Sequence, residues 1–295
     1  MIESKSPKVS VIIPTYNRAE FILEAIHSVF AQDYTNIEII IIDDGSTDET
    51  AELLAPYIEQ GKVLYRYQEN QRQCVARNNA MSIATGELWC FLDSDNRWLP
   101  GKLKTQVTYM QTNPSVDIVY GDNQLIDDEG KITSQKNMRR HSGRIYPEML
   151  RDNCVSMNTV MARAECFKRH GTFDPSFKVA DDYELWLRLS AHYEFIYLPI
   201  FFAQYRVMED QISSDKERRF LSNERALMKF QQQNPNLLRQ SEWDAVFAFF
   251  YTRWARVRYV KSDVSGMKQM LNKALHYQWH NKYVWRAILK WLLRR

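Results

Sequence analysis

Asp93 and Asp95 stand one residue apart in the stretch CFLDSDNRWLP, residues 90–100. Two carboxylates at that spacing can reach one ion. Hard cations such as Mg²⁺ or Mn²⁺ take oxygen ligands from carboxylates and phosphates together. Asp93, Ser94, Asp95 and Asn96 are equally good turn formers, whose side chains bond the backbone around them. A second acidic pair, Asp181 and Asp182, opens ADDYELWLRL. Acids in a first helical turn cap the helix and oppose its macrodipole. A carboxylate held in a cleft can instead take a proton from an attacking hydroxyl. Arg77, among small residues in VARNNA, reads as an exposed helical residue or as a phosphate or base contact. His276 and His280 have the spacing of metal ligands on one helix, but no H-E-x-x-H glutamate and no third ligand accompany them, so they read as surface residues.

The elements that position these side chains narrow the choice. VSVIIP (9–14) is a buried strand halted at Pro14, and AEFILEAIHSVFAQ carries Ile22, Ala25, Ile26, Val29 and Phe30 at helical spacing. IEIIIIDD (37–44) is nearly all β-branched, the composition of a central strand covered on both faces. STDETAELLAPYIEQG predicts a helix capped by Ser46 or Thr47, with Glu49 close behind and Gly61 at its end. VLYRYQ (63–68), the helix VARNNAMSIATG and the strand LWCFL continue the series. This alternation predicts an α/β fold with a mixed, mainly parallel sheet flanked by helices. Ligands of such sheets sit outside the carboxyl ends of the strands. Those ends deliver Pro14, Thr15, Tyr16 and Asn17, then Asp43 and Asp44, then Asp93 and Asp95, to one edge. Sharing that edge turns the D-S-D stretch from a simple turn into a place to hold a cation.

Further on, VDIVYGDN reads as a strand, and DDEGKITSQKNMRRHSGRIYPEML as a basic loop or hairpin over the site. DYELWLRLSA reads as a helix and YEFIYLP as a late strand. From residue 216 the pattern is helical, so a boundary near 215 divides a domain at 1–215 from a helical C-terminal region at 216–295. The net charge of +3 and pI of 8.5 over 295 residues single out no partner and give no reason to expect nucleic acid. No G-x-G-x-x-G follows the first strand, where PTYNRAEF stands, and there is no G-x-x-x-x-G-K-S/T. A dinucleotide fold or a P-loop would lack its anion cradle, so a diphosphate needs another counter-charge. Cys74, Cys90, Cys154 and Cys166 lack C-x-x-C pairing and read as reduced thiols of a cytoplasmic protein. The polar start MIESKSPK is not expected to be a signal peptide, and no run reaches the about 18 apolar residues of a membrane span.

Taken in order, VSVIIPTYNRAEFILEAIHSVFAQDYTNIEIIIIDDGSTDET, VARNNAMSIATGELWCFLDSDN and ADDYELWLRL resemble family 2 glycosyltransferases of the GT-A fold, over roughly residues 8–213. The resemblance implies a Rossmann-like nucleotide-diphosphosugar transferase architecture. It implies inverting transfer of a sugar from a nucleotide-diphosphate donor, a UDP-sugar in most relatives. The acceptor would be a hydroxyl of a glycan or lipid-linked molecule in cell-surface polysaccharide or lipopolysaccharide synthesis. It assigns donor binding to Pro14, Thr15, Tyr16, Asn17, Asp44, Arg77, Asp93 and Ser94, with Asp44 accepting from the base. A Mn²⁺ or Mg²⁺ ion falls to Asp95 with Asp93, and catalysis to Asp181 and Asp182, with Asp182 as general base. Three positions depart from the family's pattern. Asn96 stands at the fourth place of a frequent D-x-D-D, Met208 where a histidine is common in YRVMEDQIS (205–213), and Gln73–Cys74 where a glycine often precedes A-R-N. They predict a weaker hold on the metal, or a basic side chain of the 136–144 loop sharing the work. Two other classes stay open: a nucleotidyltransferase that makes the nucleotide sugar, and a non-catalytic binding domain on a GT-A-like fold.

NKYVWRAILKWLLRR ends the sequence, with Lys282, Arg286, Lys290 and Arg294 every four residues and Trp285, Ile288, Leu289, Trp291 and Leu292 on the other faces. Such a helix fits lying in an anionic membrane surface, or docking on a globular body with its lysines solvated. The resemblance favours the membrane, hence a peripheral position on the inner face of the cell membrane. WDAVFAFFYTRWARVRYV (243–260) reads as a core helix of the tail.

Overall fold

A computed structural model describes residues 6–135, 139–208 and 215–292. Residues 136–138 of the expected basic loop, 209–213 of the YRVMEDQIS segment and Arg294 lie outside the described residues. The chain forms two compact units: Met1–Met149 with Asn153–Gln211, and Leu150–Asp152 with Ile212–Arg295.

In the first unit the order is β1 (Val9–Thr15), α1 (Ile22–Phe30), β2 (Ile37–Asp43), α2 (Thr50–Glu59), β3 (Leu64–Tyr67), α3 (Arg72–Ile83), β4 (Leu88–Phe91) and β5 (Arg97–Trp98). Then come α4 (Lys102–Thr112), β6 (Ile118–Ile126), β7 (Ile132–Ser134), α5 (Tyr146–Met149), a 3₁₀ turn (Met157–Thr159), β8 (Met161–Arg163), α6 (Ala164–His170), α7 (Asp181–Ser190) and β9 (Phe195–Arg206). These strands form one mixed sheet in the order β3-β2-β1-β4-β8-β6-β9-β5, with β7 added on β6. Strands β3, β2, β1 and β4 run parallel, whereas β8 is antiparallel to both β4 and β6. Helix α1 turns Ile22, Ala25, Ile26 and Val29 inward, and the aliphatic side chains of β1, and those of β2 from Ile39 onward, are fully or almost fully buried.

Register decides what the carboxyl edge carries. Thr15 pairs with Asp43 and Ile12 with Phe91, so three neighbouring chains leave the sheet together. Two backbone bonds carry the pairing past the strands, Asp44 N–H to Thr15 O at 2.8 Å and Leu92 N–H to Ile12 O at 3.0 Å.

Three elements differ from expectation. Helix α2 starts at Thr50, and neither Ser46 nor Thr47 caps it. Both are spent on the neighbouring loop: Ser46 Oγ accepts the Asn17 N–H, and the Thr47 N–H donates to Asn17 Oδ1. Asp48 serves the helix start instead, accepting from the Thr50 N–H and hydroxyl. The strand expected to stop at Pro199 runs on to Arg206, because its second half pairs with both β6 and β5. Register slips between Tyr120 and Asp122, where a Cβ on Gly121 would meet Ile200 O at 2.6 Å. His276 and His280 do not share a helix, since the helix bearing His276 ends at Tyr277.

The second unit contains α8 (Lys216–Gln233), α9 (Gln240–Val260), α10 (Val264–Tyr277) and α11 (Lys282–Leu292). Helix α9 is a core helix: Trp243, Phe247, Phe250, Tyr251 and Trp254 are all buried. Among the described residues no helix is long and apolar enough to cross a membrane. Cys74, Cys90, Cys154 and Cys166 are free and buried.

Candidate active site

The first two strand ends bring a set of polar side chains together. Pro14 is buried opposite Ile42, Thr15 is buried with an unpartnered Oγ1, and the next residue, Tyr16, is 47% exposed. Asn17 takes a left-handed backbone (φ 49°), and its side chain ties the two loops. The adjacent acids behave differently. Asp43 is fully buried and structural, accepting from the Ser46 N–H at 2.8 Å and from the Tyr65 hydroxyl at 2.8 Å. Asp44 accepts the Gln68 side-chain amide at 2.7 Å and the Gln71 N–H at 2.8 Å on one oxygen, Oδ1.

Arg77 joins the two acidic pairs. It is buried in α3, not exposed as its local sequence allowed, and small neighbours such as Ala76 and Ala80 leave it room. Its guanidinium donates to Asp181 Oδ2 at 2.5 Å and Asp93 Oδ1 at 2.7 Å, and lies 5.3 Å from the centre of the Phe173 ring. Burial alone would weaken its charge, but the Asp181 and Asp93 carboxylates outweigh burial and hold its pKa above the ordinary value. The second oxygen of Asp181 accepts from Gln73 Nε2 at 2.9 Å. Asp181 therefore has both oxygens committed. It caps no helix: Ala180 is the N-cap of α7, with a left-handed backbone and no side-chain cap.

Asp182 points elsewhere. Its Oδ2 accepts from Asn153 Nδ2 at 2.9 Å, and its Oδ1 from the Tyr183 N–H at 2.8 Å. Burial, then the negative charge of Asp181, raises its pKa to about 6, against the pull of Arg77. A carboxylate so placed is a base poised near neutral pH.

The D-S-D turn is held from below. Asn158 grips Asp93 twice, accepting its N–H at 2.8 Å and donating to Oδ2 at 3.1 Å. Asn158 is in turn fixed by Trp98, whose indole N–H donates to its carbonyl at 2.9 Å. Ser94 is buried in the turn. Burial, then the charge of Asp93, raises the pKa of Asp95 to about 6, while Arg18 at 3.6 Å pulls it down. Two crowded carboxylates with incomplete counter-charge fit a hard divalent cation. Among the described residues no group of three or more His, Cys, Asp or Glu side chains could hold a metal ion. A cavity of about 760 Å³ is lined by Asn17, Arg18, Phe21, Asp48, Asp128 and Met208 among others, and Arg18 connects it to Asp95.

Asn96 has a structural reason. It is 1% exposed, its Oδ1 accepts the Arg206 N–H at 2.7 Å, and its Nδ2 faces Asp93 Oδ2 at 3.5 Å. A carboxylate there would offer Asp93 no proton. Arg206, fully buried, also donates to Asp95 O at 3.0 Å and to Glu24 at 2.8 Å, and covers the Phe21 ring. Gln68, Asn153, Asn158 and Arg206 were not singled out by the sequence, and Gln73 stood out only as a departure from the family's glycine. Of the first four, only Arg206 left a mark there, a charge inside a strand-like run.

A mixed sheet with a D-x-D turn, a buried arginine and an acidic helix start on one edge has the GT-A architecture. Solved structures agree: S. aureus TarS 1–349 in complex with UDP-GlcNAc aligns with a TM-score of 0.63 at 18% identity, over 93% of each chain. Mannosyltransferase PcManGT from Pyrobaculum calidifontis, in complex with GDP-Man and Mn²⁺, aligns with 0.57 at 19% identity, over 99% of this chain and 89% of that one. Residues 10–168 match glycosyl transferase family 2, and the chain belongs to that family. TuaG of Bacillus subtilis, named for teichuronic acid biosynthesis, is 31% identical over 214 residues, 71% of this chain and 83% of TuaG. The chain spans 27 to 30% of the length of three Rickettsia glycosyltransferases that it matches at 32 to 33% identity.

Proposed function

We propose that the chain is an inverting glycosyltransferase that moves a sugar from a nucleotide-diphosphate donor, a UDP-sugar, to a hydroxyl of a glycan or lipid-linked acceptor in cell-surface polysaccharide or lipopolysaccharide synthesis. The observation that carries this is the Arg77 bridge, which locks the D-x-D turn to the helix start bearing Asp182. Asp182 takes the proton of the acceptor hydroxyl as its oxygen attacks the anomeric carbon from the side opposite the leaving diphosphate. Asn153 orients that carboxylate, and Asp181 positions Arg77 and raises the basicity of its neighbour. Thr15, Tyr16, Asn17 and Asp44 receive the nucleoside, with Pro14 and Ser94 shaping the backbone around it. Asp95 and Asp93 would hold a Mn²⁺ or Mg²⁺ ion, which would supply positive charge where the diphosphate departs. The names of TuaG and of the TarS complex support a surface-polymer role and a uridine donor. The catalytic domain ends near residue 215.

A panel of nucleotide sugars, each with Mn²⁺, tests this. A native-state ligand at 100 times its Kd stabilises by about 2.7 kcal/mol. That raises the unfolding midpoint of a domain this size by roughly 5–10 °C. One donor should do so and lose most of the effect with EDTA; a flat panel would remove the reading.

Helix α11 supports placement on a membrane surface. Lys282, Arg286 and Lys290 are exposed, with Tyr283 at 54%, Trp285 at 46% and Leu289 at 54%, and Trp279 just ahead at 74%. Val284 is fully buried on the opposite side. Cations beside exposed aromatic rings suit the headgroup layer of an anionic bilayer, the inner face of the cell membrane. The chain should sediment with phosphatidylglycerol vesicles and not with phosphatidylcholine. Each of Lys282→Gln, Arg286→Gln and Lys290→Gln should weaken this about fivefold, from about 1 kcal/mol per cation. Undiminished sedimentation of the triple variant would count against it.

A further inference from the structure

We infer that Gln68 and Asp44 together select the base of the donor, admitting the imide edge of uracil or thymine and rejecting guanine. The inference rests on the nucleotide-sugar reading above and goes further, by naming a residue that sets the base.

Asp44 is 3% exposed at the end of β2, and its two oxygens are in different states. Oδ1 accepts two hydrogen bonds, from Gln68 Nε2 at 2.7 Å and the Gln71 N–H at 2.8 Å, which fills its two lone-pair directions. No described residue donates to Oδ2. The orientation of Gln68 is itself set. Its Oε1 accepts from Asn79 Nδ2 at 2.6 Å, and its backbone N–H donates to Asp43 O at 2.9 Å. Turning the amide over would face Oε1 to a carboxylate and Nε2 to another amide donor. The arrangement therefore presents one open carboxylate oxygen. Once a ligand covers the site and expels water, leaving that oxygen unpaired is costly, and a ligand N–H removes the cost.

The edges of the bases differ in what they ask of that oxygen. Uracil and thymine carry a single ring N–H between two carbonyls, and one acceptor satisfies it. Guanine presents its ring N–H and its amino group side by side, a pair that matches both oxygens of a free carboxylate. With Oδ1 saturated, one of those donors enters the site unpaired. Adenine and cytosine place a ring-nitrogen lone pair beside their amino group, directed at the negative charge of Asp44. A site built around a particular hydrogen bond discriminates strongly against a ligand that leaves polar groups unpaired.

Calorimetric titration of UDP, GDP, CDP and ADP, each with Mn²⁺, tests this in the wild-type chain and in Gln68→Leu and Gln68→Ala. The wild type should bind UDP at least about tenfold more tightly than GDP, CDP or ADP. In both variants Oδ1 regains an open lone pair, so GDP should gain on UDP and the ratio narrow about tenfold. Equal affinity of the wild type for UDP and GDP overturns the inference and leaves the nucleotide-sugar reading standing. So does a ratio unmoved in variants whose unfolding midpoints match the wild type. Binding of none of the four nucleotides, nor of their diphosphosugars, overturns that reading and this inference with it.

Discussion

Asp182→Asn is expected to lower turnover by roughly 10²–10⁴-fold, the usual contribution of a positioned general base. Asparagine matches the shape of aspartate and keeps one of its two acceptor oxygens, giving up a single hydrogen bond, from Asn153 or from the Tyr183 N–H, so the main loss falls on proton transfer and not on packing. Donor affinity, read by titration, should stay within a small factor of wild type, because the groups assigned to the donor lie at the carboxyl ends of β1 and β2, on α3 and in the D-S-D turn. The pH profile gives a second readout. Only ionised Asp182 can accept a proton, so turnover should rise as pH climbs through about 6 and fall below it. Asp181→Asn removes the neighbouring negative charge that helps raise this pKa, and should move the rising limb toward acid. A variant at position 182 with wild-type turnover, or a profile flat through pH 6, would remove Asp182 as the base.

The sequence showed the carboxyl edge because its signals are local. A β-branched run before Asp43, an apolar run before Asp93 and helical spacing between them suffice to aim Asp44, Asp93 and Asp95 the same way. What decided between the two readings of each acidic pair was not local. Arg77 reaches Asp181 across 104 positions and Asp93 across 16, and nothing in VARNNA marks it for burial. The Asp181–Asp182 pair looked equally like a helix cap until the backbone of Ala180 and the partners of Asp181 were known. Asn158 sits 65 residues from the Asp93 it holds, in a segment without a motif. Asn96 looked like a lost ligand when read against a pattern. In the fold it is the side chain that can accept from β9 and still present a donor to Asp93. Ser46 and Thr47 were misassigned as caps for a similar reason, since the loop that needs their hydrogen bonds lies about 30 residues earlier.

Arg77→Met should cost about 3–5 kcal/mol of stability, lowering the unfolding midpoint of the first unit by roughly 6–20 °C. Methionine fills much of the same space, so the cost comes from charge. Asp181 has a side chain only 4% exposed and would keep a negative charge with one amide donor, Gln73, in place of a guanidinium. Asp93 is 27% exposed and can recover part of its hydration. The asymmetry predicts a partial rescue. Adding Asp181→Asn to Arg77→Met removes the stranded charge and should return half or more of the lost stability, a coupling that a double-mutant cycle isolates. Donor binding should not return with it, because the D-S-D turn and the Asp182 helix start have lost the group that joined them. Strictly additive losses in the cycle would show that the two side chains stabilise the fold independently. Recovery of donor affinity together with stability would show that Arg77 serves only as a buried counter-ion. Stability regained without the donor is the outcome that separates a scaffold role from a role in holding the site's geometry.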